Sequence, residues 1–154
     1  MRGNLKNAIN RKWSNHLVSF GMIPFIENTL GKNKFENVLY ATGATILSTG
    51  YIEKGKMYSY SVNQNIQGLL ILTDQYVKHF SKGKRVEIAS LDTTEIELKK
   101  HLFTPFIQLR STVSSTYMNI GALNSTEFKM VSDIIAYSIQ KQQELLEQKR
   151  KRRK

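Results

Sequence analysis

Gly68-Leu69-Leu70-Ile71-Leu72-Thr73-Asp74-Gln75-Tyr76-Val77-Lys78-His79-Phe80 decides how the rest of the chain is read. An apolar run of strand length, Leu69 to Leu72, stops at Thr73-Asp74-Gln75 and resumes as Tyr76-Val77. A short polar break between two β-prone runs predicts a tight hairpin, with strands over 67–73 and 76–81. Asp74 is placed to accept backbone hydrogen bonds across the turn, with Leu70, Leu72 and Phe80 facing the core.

The same rhythm extends in both directions. From 36 to 122 the chain is rich in Val, Ile, Leu, Thr and Tyr, with clusters of Gly, Asn, Asp and Lys about every ten residues. This predicts further strands over 38–48, 57–62, 85–89, 93–99, 106–111 and 117–121, with turns at 50–55, 73–75 and 82–84. Within 93–99, Thr94, Ile96 and Leu98 alternate with Glu95, Glu97 and Lys99, the pattern of a strand with one buried and one solvated face.

Both ends read as helix. Asn124 followed by Glu127 resembles a capping box, and Phe128, Val131, Ile134, Ile135 and Ile139 form an apolar stripe able to lie across the sheet. Beyond Ile139 the pattern thins through Lys141, Gln142 and Gln143 and returns at Leu145 and Leu146, so the last turns are expected to project. Near the start, Leu5, Ala8, Ile9, Trp13, Leu17 and Phe20 recur three and four apart, with Arg2, Lys6, Arg11 and Asn15 off that stripe. Gly21 and Pro24 end this amphipathic helix, and a short helical turn over 24–30 follows.

The 68–80 hairpin resembles that of bacterial pleckstrin-homology-like domains, in which an apolar strand ending in Leu-Thr-Asp turns directly into a strand ending in an aromatic residue. Val86-Glu87-Ile88-Ala89-Ser90-Leu91-Asp92-Thr93-Thr94-Glu95-Ile96 resembles the next strand-loop-strand unit of that family. The resemblance spans about 35–140. It implies an α+β fold, a bent antiparallel β-sheet or partly open barrel capped by a C-terminal α-helix. It also implies a scaffold that binds proteins, lipids or its own copies and has no chemistry of its own. Residues 1–34, with their extra N-terminal helix, and the projecting end and basic tail over 141–154 lie outside the resemblance.

Composition narrows the classes. A chain of 154 residues with 40% hydrophobic content suits one folded domain. The absence of cysteine excludes disulfides, thiolate metal sites and cysteine nucleophiles. No apolar run reaches the ~18 residues that suggest a membrane helix, and the basic N-terminus lacks the apolar core of a secretory signal. A cytoplasmic location is the expectation. Of the net charge of +11, the first twelve residues carry +4 and the last six +6, leaving +1 for 13–148. Basicity therefore belongs to the ends, not to a broad nucleic-acid-binding face on the sheet.

No motif carries catalysis. Gly50-Tyr51-Ile52-Glu53-Lys54-Gly55-Lys56 matches much of a phosphate-binding loop, but Met57 stands where Ser or Thr must hold magnesium, and strand rather than helix follows. Lys54 and Lys56 sit where phosphoinositide-binding pleckstrin-homology domains carry basic residues, without the arginine that should follow. His16, His79 and His101 have no metal-site spacing, and no Gly-x-Ser-x-Gly elbow is present. Glu95 and Glu97 share a strand face beside Lys99 and Lys100, as on a solvated surface. The expectation is no enzyme, no cofactor, no metal and no small-molecule substrate.

What remains is a non-enzymatic interaction module for a partner protein or a second copy, with Trp13, Leu17, Leu145 and Leu146 as candidate contacts. The alternative is a small nucleic-acid-binding protein using its basic termini, with Lys149, Arg150, Lys151, Arg152, Arg153 and Lys154 as candidate polyanion contacts. A third reading, peripheral binding to an anionic membrane surface, rests on Trp13 and the cations opposite its stripe.

Overall fold

Alternating apolar residues need a covered face, and in this chain a curled sheet and one long helix supply it to each other. A computed structural model describes residues 38–60, 65–81 and 85–152. Its strands are β1 (Val38–Glu53), β2 (Lys56–Ser59), β3 (Ile66–Thr73), β4 (Tyr76–Ser81), β5 (Arg85–Ser90), β6 (Thr94–His101), β7 (Thr104–Ser111) and β8 (Thr116–Gly121). A 3-10 turn (Leu91–Thr93) links β5 to β6, and helix α1 (Ser125–Arg152) ends the described chain. All pairings are antiparallel, in the order β5-β4-β3-β1-β8-β7-β6, with β2 paired to β1 off that path. The architecture is α+β, as expected. The N-terminal helix read over 4–20, the helical turn over 24–30 and the turn at 82–84 lie outside the described residues.

β1 organises the sheet. Its first half pairs with β3, its last four residues with β2, and Thr45–Tyr51 also with β8. The strand therefore runs well past the expected end at 48. The turn expected over 50–55 is compressed into Lys54-Gly55, whose φ values of 51° and 78° are those of a two-residue hairpin turn with both central residues left-handed. A bulge between Ile46 and Ser48 shifts the register where β1 changes partners, a feature that bends strands. The sheet curls far enough for β5 to approach β7, and α1 touches β3 from one arm and β6 and β7 from the other.

The core lies between the concave face and α1. Ile46, Leu70, Leu72, Ile107 and Ile120 meet Val131, Ile135 and Ile139, with Phe128 and Ile134 packed at the margin. This is the stripe expected from the sequence. Each fully buried Leu or Ile contributes about 1.5–3 kcal/mol, so this layer dominates stability. Asn124 caps the helix: its Oδ1 accepts from the Glu127 amide at 2.8 Å, and its Nδ2 donates to Glu127 Oε1 at 3.0 Å. Glu127 Oε2 also accepts from the hydroxyls of Tyr40 (3.2 Å) and Thr42 on β1. One carboxylate thus caps the helix and ties it to the sheet.

Two expectations need correction. Phe80 does not face the core with Leu70 and Leu72: it lies opposite Leu69, and successive strand residues point to opposite faces. His79, opposite Leu70, takes the inner side. At the turn, the Thr73 hydroxyl accepts from the amides of Gln75 (3.2 Å) and Tyr76 (2.9 Å). Leu98, expected inside, is 55% exposed, because the end of β6 runs past the region covered by the helix.

His79 carries a pH dependence. Its Nε2 lies 2.9 Å from the Ala44 carbonyl, which only accepts, so Nε2 holds the proton of a neutral ring. Nδ1 is buried without a partner. Burial pushes the pKa below its ordinary 6.5, and the bond to Ala44 opposes this more weakly. The unfolded chain accordingly takes up a proton near pH 6.5 while the folded chain resists until lower pH. Stability is full above 6.5 and falls as pH drops toward the lowered folded value, by at most about 1.4 kcal/mol per pH unit. Urea midpoints should fall between pH 7.5 and 5, and His79→Gln should flatten that fall. An unchanged slope in the variant would assign the dependence to another group.

Candidate functional site

The apolar stripe of α1 outruns the sheet it packs on. Val131, Ile135 and Ile139 are buried, and Gln142 donates to the Asp74 carbonyl at 3.0 Å, tying the helix to the β3–β4 turn. Leu146 is seven residues beyond Ile139 and four beyond Gln142, so it continues the same face of the helix. It is 38% exposed, and its neighbour Leu145 is 49% exposed. The helix runs 13 residues past Ile139 to Arg152, about 20 Å at the usual rise. Lys141 pairs with Glu144 at 3.7 Å, and its ammonium lies 5.6 Å from the Tyr137 ring, contacts that support an exposed helix only modestly. The last turn presents Lys149, Arg150, Lys151 and Arg152 to solvent at the end where the helix dipole favours cations.

The sequence-derived candidates therefore separate. Leu145 and Leu146 stand together with Lys149–Arg152 on the projecting part of α1. Trp13, Leu17, Arg153 and Lys154 lie outside the described residues.

Two further surfaces were not legible as sites. Tyr51 and Tyr58 face each other across the β1–β2 hairpin with ring centroids 5.1 Å apart, and Tyr60 adds a third ring at 5.9 Å from Tyr51. Their spacing on either side of the Lys54-Gly55 turn is the available sequence signal, once the turn is placed correctly. On the open side of the sheet, a cleft of about 510 Å³ separates β5 from the β7–β8 end. Thr49, Ser90, Thr93, Ser111, Ser114 and Thr116 give it a hydroxyl-rich wall, and Leu109 and Met118 an apolar floor. Among the described residues, Glu87 is the one carboxylate in the lining, which includes no histidine or lysine.

Gly50–Lys56 forms the end of β1, a hairpin turn and the start of β2, without the helix N-terminus that a phosphate-binding loop requires. Glu95 and Glu97 flank Arg110, at 3.8 and 3.1 Å from its Nη2, in an ion cluster on the outer face of β6–β7. Among the described residues no group of three His, Cys, Asp or Glu side chains could hold a metal ion. None of the described helices is long and apolar enough to cross a membrane.

No protein-family model matches the sequence, and no curated protein shows significant similarity to it.

Proposed function

We propose that the chain is a non-enzymatic interaction module with a pleckstrin-homology-like body. It binds a partner protein or a second copy through the projecting half of α1. The single observation carrying this reading is the continuation of the core stripe to Leu146, with Leu145 beside it, past the edge of the sheet. A face that is apolar where it packs and still apolar where it projects suits a helical or grooved surface on another molecule. The curled antiparallel sheet with a C-terminal helix across its concave side supports the family likeness read from the hairpin.

A second reading follows from the exposed cations at the helix tip, which attract phosphate-bearing polymers at low salt. One experiment separates the two: capture from nuclease-treated host extract at physiological salt, with light scattering of the purified chain to read self-association. The comparison uses the full chain, Leu145→Asp/Leu146→Asp, and a chain ending at Gln148. The expected result is one defined assembly that survives nuclease and tail removal and is lost in the double leucine variant. Loss on nuclease treatment or tail removal, with the leucine variant unaffected, would transfer the function to the basic end.

A further inference from the structure

The β6–β7 hairpin ends in two residues that neither turn chemistry nor packing accounts for. His101 pairs with Thr104, so Leu102 and Phe103 are the central residues of a two-residue turn. Such turns favour Gly, Asn or Asp, because they need φ above zero. Leu102 adopts that conformation, with φ of 56°, although the Cβ of an L-residue disfavours it. Both side chains stand in solvent. Leu102 is 81% and Phe103 93% exposed, the largest values for any large hydrophobic among the described residues. The last pair between β7 and β8 is Ile107 with Ile120, whereas β6 and β7 stay paired out to His101 and Thr104. From Lys99 and Phe106 outward, the tip is therefore a ribbon with no third strand among the described residues. Lys99 and Lys100 stand directly behind it, and no Asp or Glu occurs between Glu97 and Glu127.

We propose that this tip inserts into an anionic bilayer surface, with Leu102 and Phe103 entering the boundary between headgroups and acyl chains and Lys99 and Lys100 meeting lipid phosphates. Three observations favour a lipid surface. The tip is convex and narrow, and adjacent apolar side chains at the apex of a ribbon sink into a fluid medium without a preformed pocket. The spacing also fits. Lys100 and Lys99 lie two and three residues behind Leu102, about 7 and 10 Å at the rise of a strand. Interfacial segments bury their apolar groups about 5–10 Å deep, which leaves both ammonium groups, on their long stems, at the level of the phosphates. The third observation is charge: a stretch with cations and no acid is drawn to an anionic leaflet. A soluble polyanion would engage the lysines but gain nothing from Leu102 and Phe103. The site is separate from the Trp13 stripe and from the basic tail, and the proposal does not draw on the role given to Leu145 and Leu146.

The chain has no cysteine, so a single dye can be placed anywhere in the full protein. A polarity-sensitive dye is attached to Phe103→Cys and, as a control, to Val113→Cys, 75% exposed in the β7–β8 loop at the other end of β7. The probe is vesicles of phosphatidylcholine and phosphatidylserine, with and without doxyl-labelled lipid to report depth. At position 103 the emission is expected to shift to the blue on vesicles and to be quenched by the doxyl group; at 113 it should do neither. Unlabelled Leu102→Gly/Phe103→Asn, whose residues suit the turn, should keep its melting temperature and bind these vesicles at least about tenfold more weakly. Lys99→Gln/Lys100→Gln should lose roughly tenfold or more on the same vesicles and far less on pure phosphatidylcholine. Solvent-like emission at 103 on vesicles that hold the protein would overturn the proposal and assign the binding to the basic tail. Undiminished binding of the turn variant, or no binding of the full chain, would overturn it equally. A blue shift at 103 that needs no vesicles and grows with protein concentration would give the tip to a second copy instead.

Discussion

Ile135→Asp is expected to leave the chain unfolded at 25 °C, while a chain ending at Gln143 melts within a few degrees of the full protein. Ile135 is 1% exposed and sits at the centre of the stripe that covers the concave sheet. Removing a buried isoleucine side chain alone costs about 2–5 kcal/mol, and a carboxylate with no partner in that layer adds several more. The sum is comparable to the 5–15 kcal/mol that typically separates folded from unfolded domains. The shorter chain keeps every buried residue of α1 and the Gln142–Asp74 bond, and loses only exposed turns. Circular dichroism with thermal melting reads both. A well-folded Ile135→Asp protein would show that α1 is an appendage, and collapse of the shortened chain would place the projecting half inside the folding unit.

Gly68→Ala should cost about 2–4 kcal/mol, a large effect for one added methyl group. Gly68 lies beneath the His79 ring as that ring reaches across to the Ala44 carbonyl. A Cβ there would meet the Phe80 carbonyl oxygen and come within 2.8 Å of His79 Cε1. The closest clash is with that backbone oxygen, so the β3–β4 pairing must shift as well as the ring, and the buried donor of the ring loses its acceptor. Urea unfolding of Gly68→Ala, His79→Ala and the double variant isolates this. A coupling of about 0.5–3 kcal/mol is expected, because the second substitution removes part of what the first disturbs. Additive losses would mean that the histidine ring and the glycine are independent.

Strand positions were largely legible because turn chemistry and β-prone runs are local properties. The 67–73 and 76–81 expectations fall within a residue of β3 and β4. The helical stripe from Phe128 to Ile139 appears as read, since a 3.6-residue period survives any tertiary arrangement. The facing of β4 was not legible. Leu69-Leu70-Ile71-Leu72 is apolar on both parities, so the run announces a strand buried on both sides without saying which side α1 takes. Phe80 was placed inward by its hydrophobicity; the pairing register puts it on the opposite face and gives the inner side to His79. Among the candidate contacts, the exposure of Leu145 and Leu146 was expected where the periodicity thins. The hydroxyl-lined cleft joins residues from β1, β5, β7 and β8, and no local pattern links them.

The sequence by itself determined the number and order of the strands and of the helix that follows them, the missing thiol chemistry, the placement of charge at the ends and the capping of α1 by Asn124. Each of these depends on neighbours within a few residues. Only the tertiary structure decided that β1 serves three partners, that Glu127 ties the helix to Tyr40 and Thr42, and that Glu95 and Glu97 gather on Arg110. It also decided that the sheet buries two faces. These depend on pairing register and sheet curl, where a shift of one residue exchanges the faces of an entire strand.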